Sequence, residues 1–90
     1  MKRYMIERNL PGVGAFTDRE LQSAAATSNA AIAKVSGRAE WVQSFVTANK
    51  TFCVYLAEDE AAIHDHARLS GFPANTITEI NGIIDPSTAG

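Results

Sequence analysis

Two histidines and two acidic residues in one short stretch are the side chains of this sequence best suited to bind a metal ion. These candidate ligands are Glu60, His64, Asp65 and His66. Imidazole nitrogens and carboxylate oxygens ligate borderline divalent cations such as Ni²⁺ and Zn²⁺. On a helix, Glu60 and His64 would lie one turn apart on the same side, whereas His64 and His66 would point in nearly opposite directions. The two histidines therefore belong to different sites.

His66 falls on the apolar side of this helical pattern. The positions that share this side are Ala62, Ile63, Ala67, Leu69 and Ser70. A buried imidazole is either a core residue whose ring nitrogens are hydrogen-bonded, or a neutral base or ligand that faces a cavity, because burial lowers its pKa. Both interpretations stay open for His66, and His64 is either a metal ligand or a solvated surface residue.

A second group of polar residues could line a pocket for a small molecule. These residues are Glu7, Gln43, Cys53, Tyr55 and Glu79, all in segments predicted as strands. In such a pocket Glu79 or His66 could act as a general base and Tyr55 as a hydrogen-bond donor, as in a ligand carrier or an enzyme. A third interpretation is a structural or regulatory module without a ligand, in which Glu79 is ion-paired and His66 fully hydrogen-bonded.

Several other chemistries lack the residues that they need. Cys53 is the single cysteine, so the sequence contains neither an internal disulfide nor a Cys-x-x-Cys motif for an iron–sulfur cluster. The segment Gly12–Gly14 lacks the further residues of a phosphate-binding loop. The eight Lys and Arg residues are scattered and the net charge is −2, so we expect no nucleic-acid partner.

The composition is typical of one globular domain. The chain has 90 residues, of which 46% are hydrophobic and 20% charged, a size that supports a single modest core. The N-terminal residues lack the apolar run of a signal peptide, and no apolar segment approaches the roughly 20 residues that span a bilayer. We expect a cytoplasmic protein with no membrane partner, one domain over residues 1–90 and a polar C-terminal tail over 84–90.

The first half of the chain predicts a strand and a helix. Arg3–Arg8 suits a short strand. Thr17 and Glu20 form a capping box, so a helix should begin at Asp18, and Gly37 is its expected stop. Its inner face should be formed by small and apolar residues at helical spacing, namely Leu21, Ala24, Ala25, Ser28, Ile32 and Val35.

A β-hairpin opens the second half. Glu40–Thr47 and Thr51–Ala57 are rich in aromatic and β-branched residues, which favour strands. The turn between them contains Asn49, which tolerates a positive φ.

A second helix and a last strand complete the pattern. Glu58 or Asp59 can cap a helix that runs to about Ser70 and stops at Gly71, and Thr76–Ile84 alternates as a strand. The order βαββαβ predicts an α+β, ferredoxin-like fold, with a four-stranded antiparallel sheet and both helices on one face.

Side-chain alternation divides the predicted sheet into a helix-covered face and an open face. We place Phe52, Val54, Leu56, Val42, Ser44 and Val46 beneath the helices. The open face then carries Trp41, Gln43, Phe45, Cys53 and Tyr55. Because a contiguous exposed apolar patch marks an interaction surface, we expect a second copy to cover this face in a closed two-fold homodimer. A ligand pocket could remain between the sheet and that partner.

The sequence also resembles a known family. The residues that carry the likeness are the opening Arg3–Gly12, Trp41-Val42, Ser44-Phe45-Val46, Lys50-Thr51, Cys53-Val54-Tyr55, Ile63, His66-Ala67, Gly71-Phe72-Pro73, Ile77-Thr78-Glu79 and Asp85-Pro86. They are similar to those of a family of small bacterial proteins, largely of unknown function, whose named representative binds nickel. The family pattern includes His66 but not His64, and Glu58-Asp59 stands where Pro-Ser is more usual.

The resemblance implies a ferredoxin-like monomer, a dimer, and nickel held at the dimer surface for sequestration or detoxification. The function predicted from the sequence is therefore that of a small cytoplasmic homodimer that binds a divalent transition metal, with nickel favoured. The alternative is a small-molecule-binding protein or enzyme of the dimeric ferredoxin-like type that uses a pocket on the open sheet face.

Overall fold

Four strands and two α-helices follow one another in the order βαββαβ within residues 1–35 and 37–90, the part of the chain that this computed structural model describes. The strands and helices are β1 (Lys2–Asn9), α1 (Asp18–Lys34), β2 (Ala39–Val46), β3 (Lys50–Ala57), α2 (Glu60–Ser70) and β4 (Thr76–Ile80). Short 3₁₀ turns at Val13–Ala15 and Pro86–Ala89 complete the described elements.

The four strands form one antiparallel sheet in the order β2-β3-β1-β4. Both helices pack on the same face of this sheet. Tyr55 of β3 shows this arrangement, because its hydroxyl lies beside Ser28 of α1 and its ring packs against His66 of α2. The predicted ferredoxin-like α+β fold is confirmed.

The helix boundaries follow the capping residues. The Thr17 hydroxyl accepts a hydrogen bond from the Glu20 amide at 3.2 Å, and the Glu20 carboxylate accepts one from the Thr17 amide at 3.0 Å, as the capping box predicts. Asp59, not Glu58, caps α2, and Gly71 ends it with a φ of 78°. Neither of these two helices is long and apolar enough to cross a membrane, and no other described helix is.

The last strand is shorter than predicted. It was expected over Thr76–Ile84, yet β4 ends at Ile80. The pairing explains the difference, because Ile80 lies opposite Arg3 and β1 begins only one residue earlier, at Lys2. Residues beyond Ile80 therefore have no strand to pair with, and Ile84 is exposed.

The predicted faces of the hairpin are wrong for β3. Tyr55 and Cys53 are buried beneath the helices, opposite the buried residues Tyr4 and Ile6 of β1. Phe52 and its row therefore lie on the open face. Both rows of β3 are apolar, so alternation separates them without telling which one the helices cover.

A bulge in β2 changes which side of the sheet the following side chains of that strand point to. Trp41 pairs with Tyr55, but Gln43 pairs with Val54, so the register shifts between them. As a result Trp41 and Ser44 both face the helices, and the Trp41 indole donates a hydrogen bond to the Ser44 hydroxyl at 2.9 Å. Trp41 was predicted on the open face and Val42 beneath the helices. The prediction for Trp41 is wrong. The prediction for Val42 is also wrong, because Val42 is exposed at the bulge.

The segment Gly12–Gly14 packs against the hairpin. The Gly14 amide donates to the Ala48 carbonyl at 3.0 Å, and a Cβ on Gly14 would come within 2.7 Å of the Ala48 Cα. Only glycine permits this approach. This contact joins the segment before α1 to the turn between β2 and β3.

Candidate functional site

The outer face of α2 carries two of the four predicted metal ligands. Glu60 and His64 are both exposed and lie one helical turn apart. Among residues 1–35 and 37–90, no group of three or more His, Cys, Asp or Glu side chains could hold a metal ion. Within one protomer this face therefore supplies at most a pair of ligands.

Asp65, the third predicted ligand, is engaged by two arginines. Arg38 donates to its Oδ2 at 2.7 Å, and Arg68 approaches its Oδ1 at 3.4 Å. The hydrogen bond from Arg38 is the main cause that holds the pKa of Asp65 below its usual value. Arg38 also donates to Glu58 at 2.8 Å, and both carboxylates raise the pKa of Arg38. A metal ion would have to displace a guanidinium to reach Asp65.

His66, the fourth predicted ligand, is completely buried. Its Nε2 lies 3.3 Å from the Ser28 carbonyl oxygen, to which it donates in the Nε2-protonated tautomer. The Ser28 hydroxyl is 3.3 Å and the Tyr55 hydroxyl 3.5 Å from the same nitrogen, while Nδ1 has no partner. Burial, and then the charge of Arg8, lower the pKa of His66. This imidazole is neutral and faces the interior, on the side of α2 opposite His64.

A cavity of about 280 Å³ lies between α1 and the sheet. Its walls are mostly apolar and include Leu10, Val13, Phe16, Leu21, Trp41 and Phe72. The polar side chains that line it include Arg8, Ser28, Thr51 and Tyr55. An apolar space with a few converging polar groups has the character of a small-molecule site.

Arg8 is the functional candidate that the sequence interpretation missed. Its side chain is only 2% exposed, and its Nη1 donates to the backbone carbonyls of Pro73 at 2.8 Å and Phe72 at 3.4 Å. Its guanidinium carbon lies 5.7 Å from the centre of the Tyr55 ring, and Nη2 has no partner. The signal was available, because Arg8 continues the alternating row of Tyr4 and Ile6.

The five residues predicted to line an open-face pocket do not converge. Cys53 and Tyr55 line the cavity beneath the helices. Glu7 and Gln43 lie on the open face, where they pair with Phe52 and Val54.

The two acidic residues of that set are both ion-paired. Glu79 lies on the edge strand β4, 4.0 Å from the Lys2 ammonium, and Glu7 lies 3.5 Å from that of Lys50. The location proposed for the pocket is therefore corrected, since the lined cavity is on the helix-covered side of the sheet.

Residues 4–80 match the model of a protein family described as nickel responsive protein SCO4226-like. The chain belongs to this family. The resemblance seen in the sequence is thereby confirmed. The crystal structure of SCO4226 from Streptomyces coelicolor A3(2) superposes with a TM-score of 0.76 and 15% sequence identity, over 91% of this chain and 99% of that chain. The likeness at this identity shows that the two SCO4226-like proteins share a fold. No curated protein matches the sequence.

Proposed function

We propose that this protein binds nickel and serves in its sequestration or detoxification, with Ni²⁺ held on the outer face of α2. The observation that carries the proposal is the exposed pair Glu60 and His64, one turn apart in a chain whose family is described as nickel responsive. An imidazole nitrogen and a carboxylate oxygen suit this borderline cation. Water or a second protomer would supply the remaining ligands.

The other two predicted ligands contribute less to this proposal. His66 is buried with its Nε2 engaged at Ser28, and Asp65 is held by Arg38 and Arg68. Neither side chain can bind Ni²⁺ without the loss of native contacts. The proposed site therefore rests on Glu60 and His64.

Calorimetric titration of the tag-free protein with NiCl₂ tests the proposal. Loss of a supporting residue around a metal site weakens binding about 10- to 100-fold, so His64→Ala should cost at least as much. Glu60→Gln should weaken binding in the same direction. Glu40→Gln, at an exposed acidic position on β2, is the matched control and should leave the affinity unchanged. Equal affinity for Ni²⁺ in the wild type and all three variants would refute the proposed site.

We further propose a homodimer formed through the open sheet face. The apolar residues of this face are Met5, Phe45, Phe52, Val54 and Leu56. Phe45 is 52% exposed in the protomer, and it lies on the edge strand β2 opposite Phe52 of β3. A second copy packed sheet on sheet would remove this surface from water and could complete the coordination of nickel at the dimer surface.

The oligomeric state checks the homodimer. Native mass spectrometry should detect two subunits, and Phe45→Glu should shift the population to monomer because it buries a charge in the interface. Ile84→Glu changes an equally apolar but more exposed residue outside the sheet and should leave the dimer intact. A monomeric wild-type protein would refute this assembly.

We propose a cytoplasmic location for this function. The single cysteine is buried and unpaired among the described residues. A fold of this kind does not depend on an oxidising compartment.

A further inference from the structure

Arg8 is a buried positive charge without an acidic partner. Arginine stays protonated in proteins, so burial does not neutralise it. Its polar contacts are two backbone carbonyl oxygens, and no carboxylate in the described part of the chain lies within ion-pair distance of it. Buried charges in proteins are normally paired. The guanidinium of Arg8 is therefore a buried charge with which an anion could pair.

The cavity beside Arg8 has room for such an anion and for an apolar group attached to it. An apolar cavity of about 150 Å³ accommodates benzene, and this one measures about 280 Å³. Ala24 and Ala25 of α1 form part of its wall, and their small side chains leave the space open. A ring or a short hydrocarbon chain fits these dimensions.

We propose that this cavity binds a small apolar monocarboxylate. The carboxylate pairs with the guanidinium of Arg8, whose Nη2 has no hydrogen-bond partner, and the hydroxyls of Ser28 and Tyr55 are further polar groups on the same wall. The hydrocarbon part lies against the apolar walls. One guanidinium in apolar surroundings suits a singly charged ligand, because each further charge would be buried unpaired.

The proposed complex requires a small movement of Arg8. Its Nη2 has almost no accessible surface, although the side chain lines the cavity. Rotation of the guanidinium toward the cavity would give the unpartnered Nη2 a charge-assisted hydrogen bond to the carboxylate. The site is separate from the outer face of α2, so it is independent of nickel binding.

Titration with octanoate, 1-octanol and acetate separates the two parts of the proposal. Octanoate and 1-octanol have the same chain length, and a charge-assisted hydrogen bond should make octanoate bind about tenfold or more tightly. Acetate carries the same charge without the chain and should bind far more weakly. Equal binding of octanoate and 1-octanol would refute recognition by Arg8, and no binding of either would refute the site.

Two leucine substitutions on α1 locate the binding. Ala25→Leu places a larger side chain in the cavity and should weaken octanoate binding about tenfold or more. Ala26→Leu, on the exposed side of the same helix, is the matched control and should bind like the wild type. Octanoate affinity that is unchanged in Ala25→Leu would overturn the proposal.

Arg8→Met gives a direct check of the charge, and it should reduce octanoate affinity to that of 1-octanol. If this variant does not fold, the leucine pair still decides the outcome.

Discussion

Histidine and arginine side chains on the two sides of α2 are in opposite physical states. On the outer face, His64 is exposed, and Arg38 and Arg68 are paired with Asp65 in contact with water. On the inner face, His66 is buried and neutral, and the nearby Arg8 has no acidic partner. Position relative to solvent, rather than residue type, therefore decides how strongly each group should affect stability.

The largest expected difference is between the two histidines. His66→Ala should lower the free energy of unfolding by about 2–4 kcal/mol, because it leaves a cavity and removes the contacts of the imidazole with Ser28 and Tyr55. His64→Ala should change the free energy of unfolding by no more than about 0.5 kcal/mol, as exposed substitutions usually do. Urea denaturation of both variants measures this contrast. Similar losses of stability would contradict it.

As the pH falls, the protein should first be destabilised by protonation of His66 on the inner face of α2. Because the pKa of His66 is lowered in the folded state, its contribution is complete above the unfolded value of about 6.5 and is lost as the pH falls below it. The slope can reach about 1.4 kcal/mol per pH unit for one such group. Unfolding free energies between neutral pH and about pH 5 measure it, and His66→Gln should abolish this part of the dependence. An unchanged pH dependence in that variant would exclude His66 as the cause.

Ser28 should matter more than an exposed serine of the same helix. Ser28→Ala removes a hydroxyl that lies beside both Tyr55 and His66, and it should cost about 1–2 kcal/mol because the Tyr55 hydroxyl loses a partner. Ser23→Ala, on the exposed side of α1, is the control and should be neutral or slightly stabilising, since alanine favours helices. Thermal unfolding of both variants tests the difference.

The smallest effect is expected at the outer ion pairs. Asp65→Asn removes both arginine contacts, yet these are exposed and screened by salt. Its loss of stability should be smaller than that of Ser28→Ala and should disappear at high salt concentration. Its affinity for Ni²⁺ should equal that of the wild type. Weaker nickel binding would return Asp65 to the set of ligands.

The helices were predictable because their signals are local. Thr17 and Glu20 set the start of α1, and Gly71 set the end of α2, through contacts within a few residues. The opposite orientations of His64 and His66 followed from helical geometry alone. The end of β4 was mispredicted because a strand needs a partner, and Ile80 is the last residue with one opposite it.

The sequence by itself determined the order of elements, the start of α1, the end of α2, the family and the i, i+4 spacing of Glu60 and His64. The tertiary structure decided which face of the hairpin the helices cover, and therefore that Tyr55, Cys53 and Arg8 surround one cavity. The physical reason is that alternation divides the side chains of a strand into two rows but does not show which row is buried. When both rows are apolar, only packing of the helices against one of them decides which is buried.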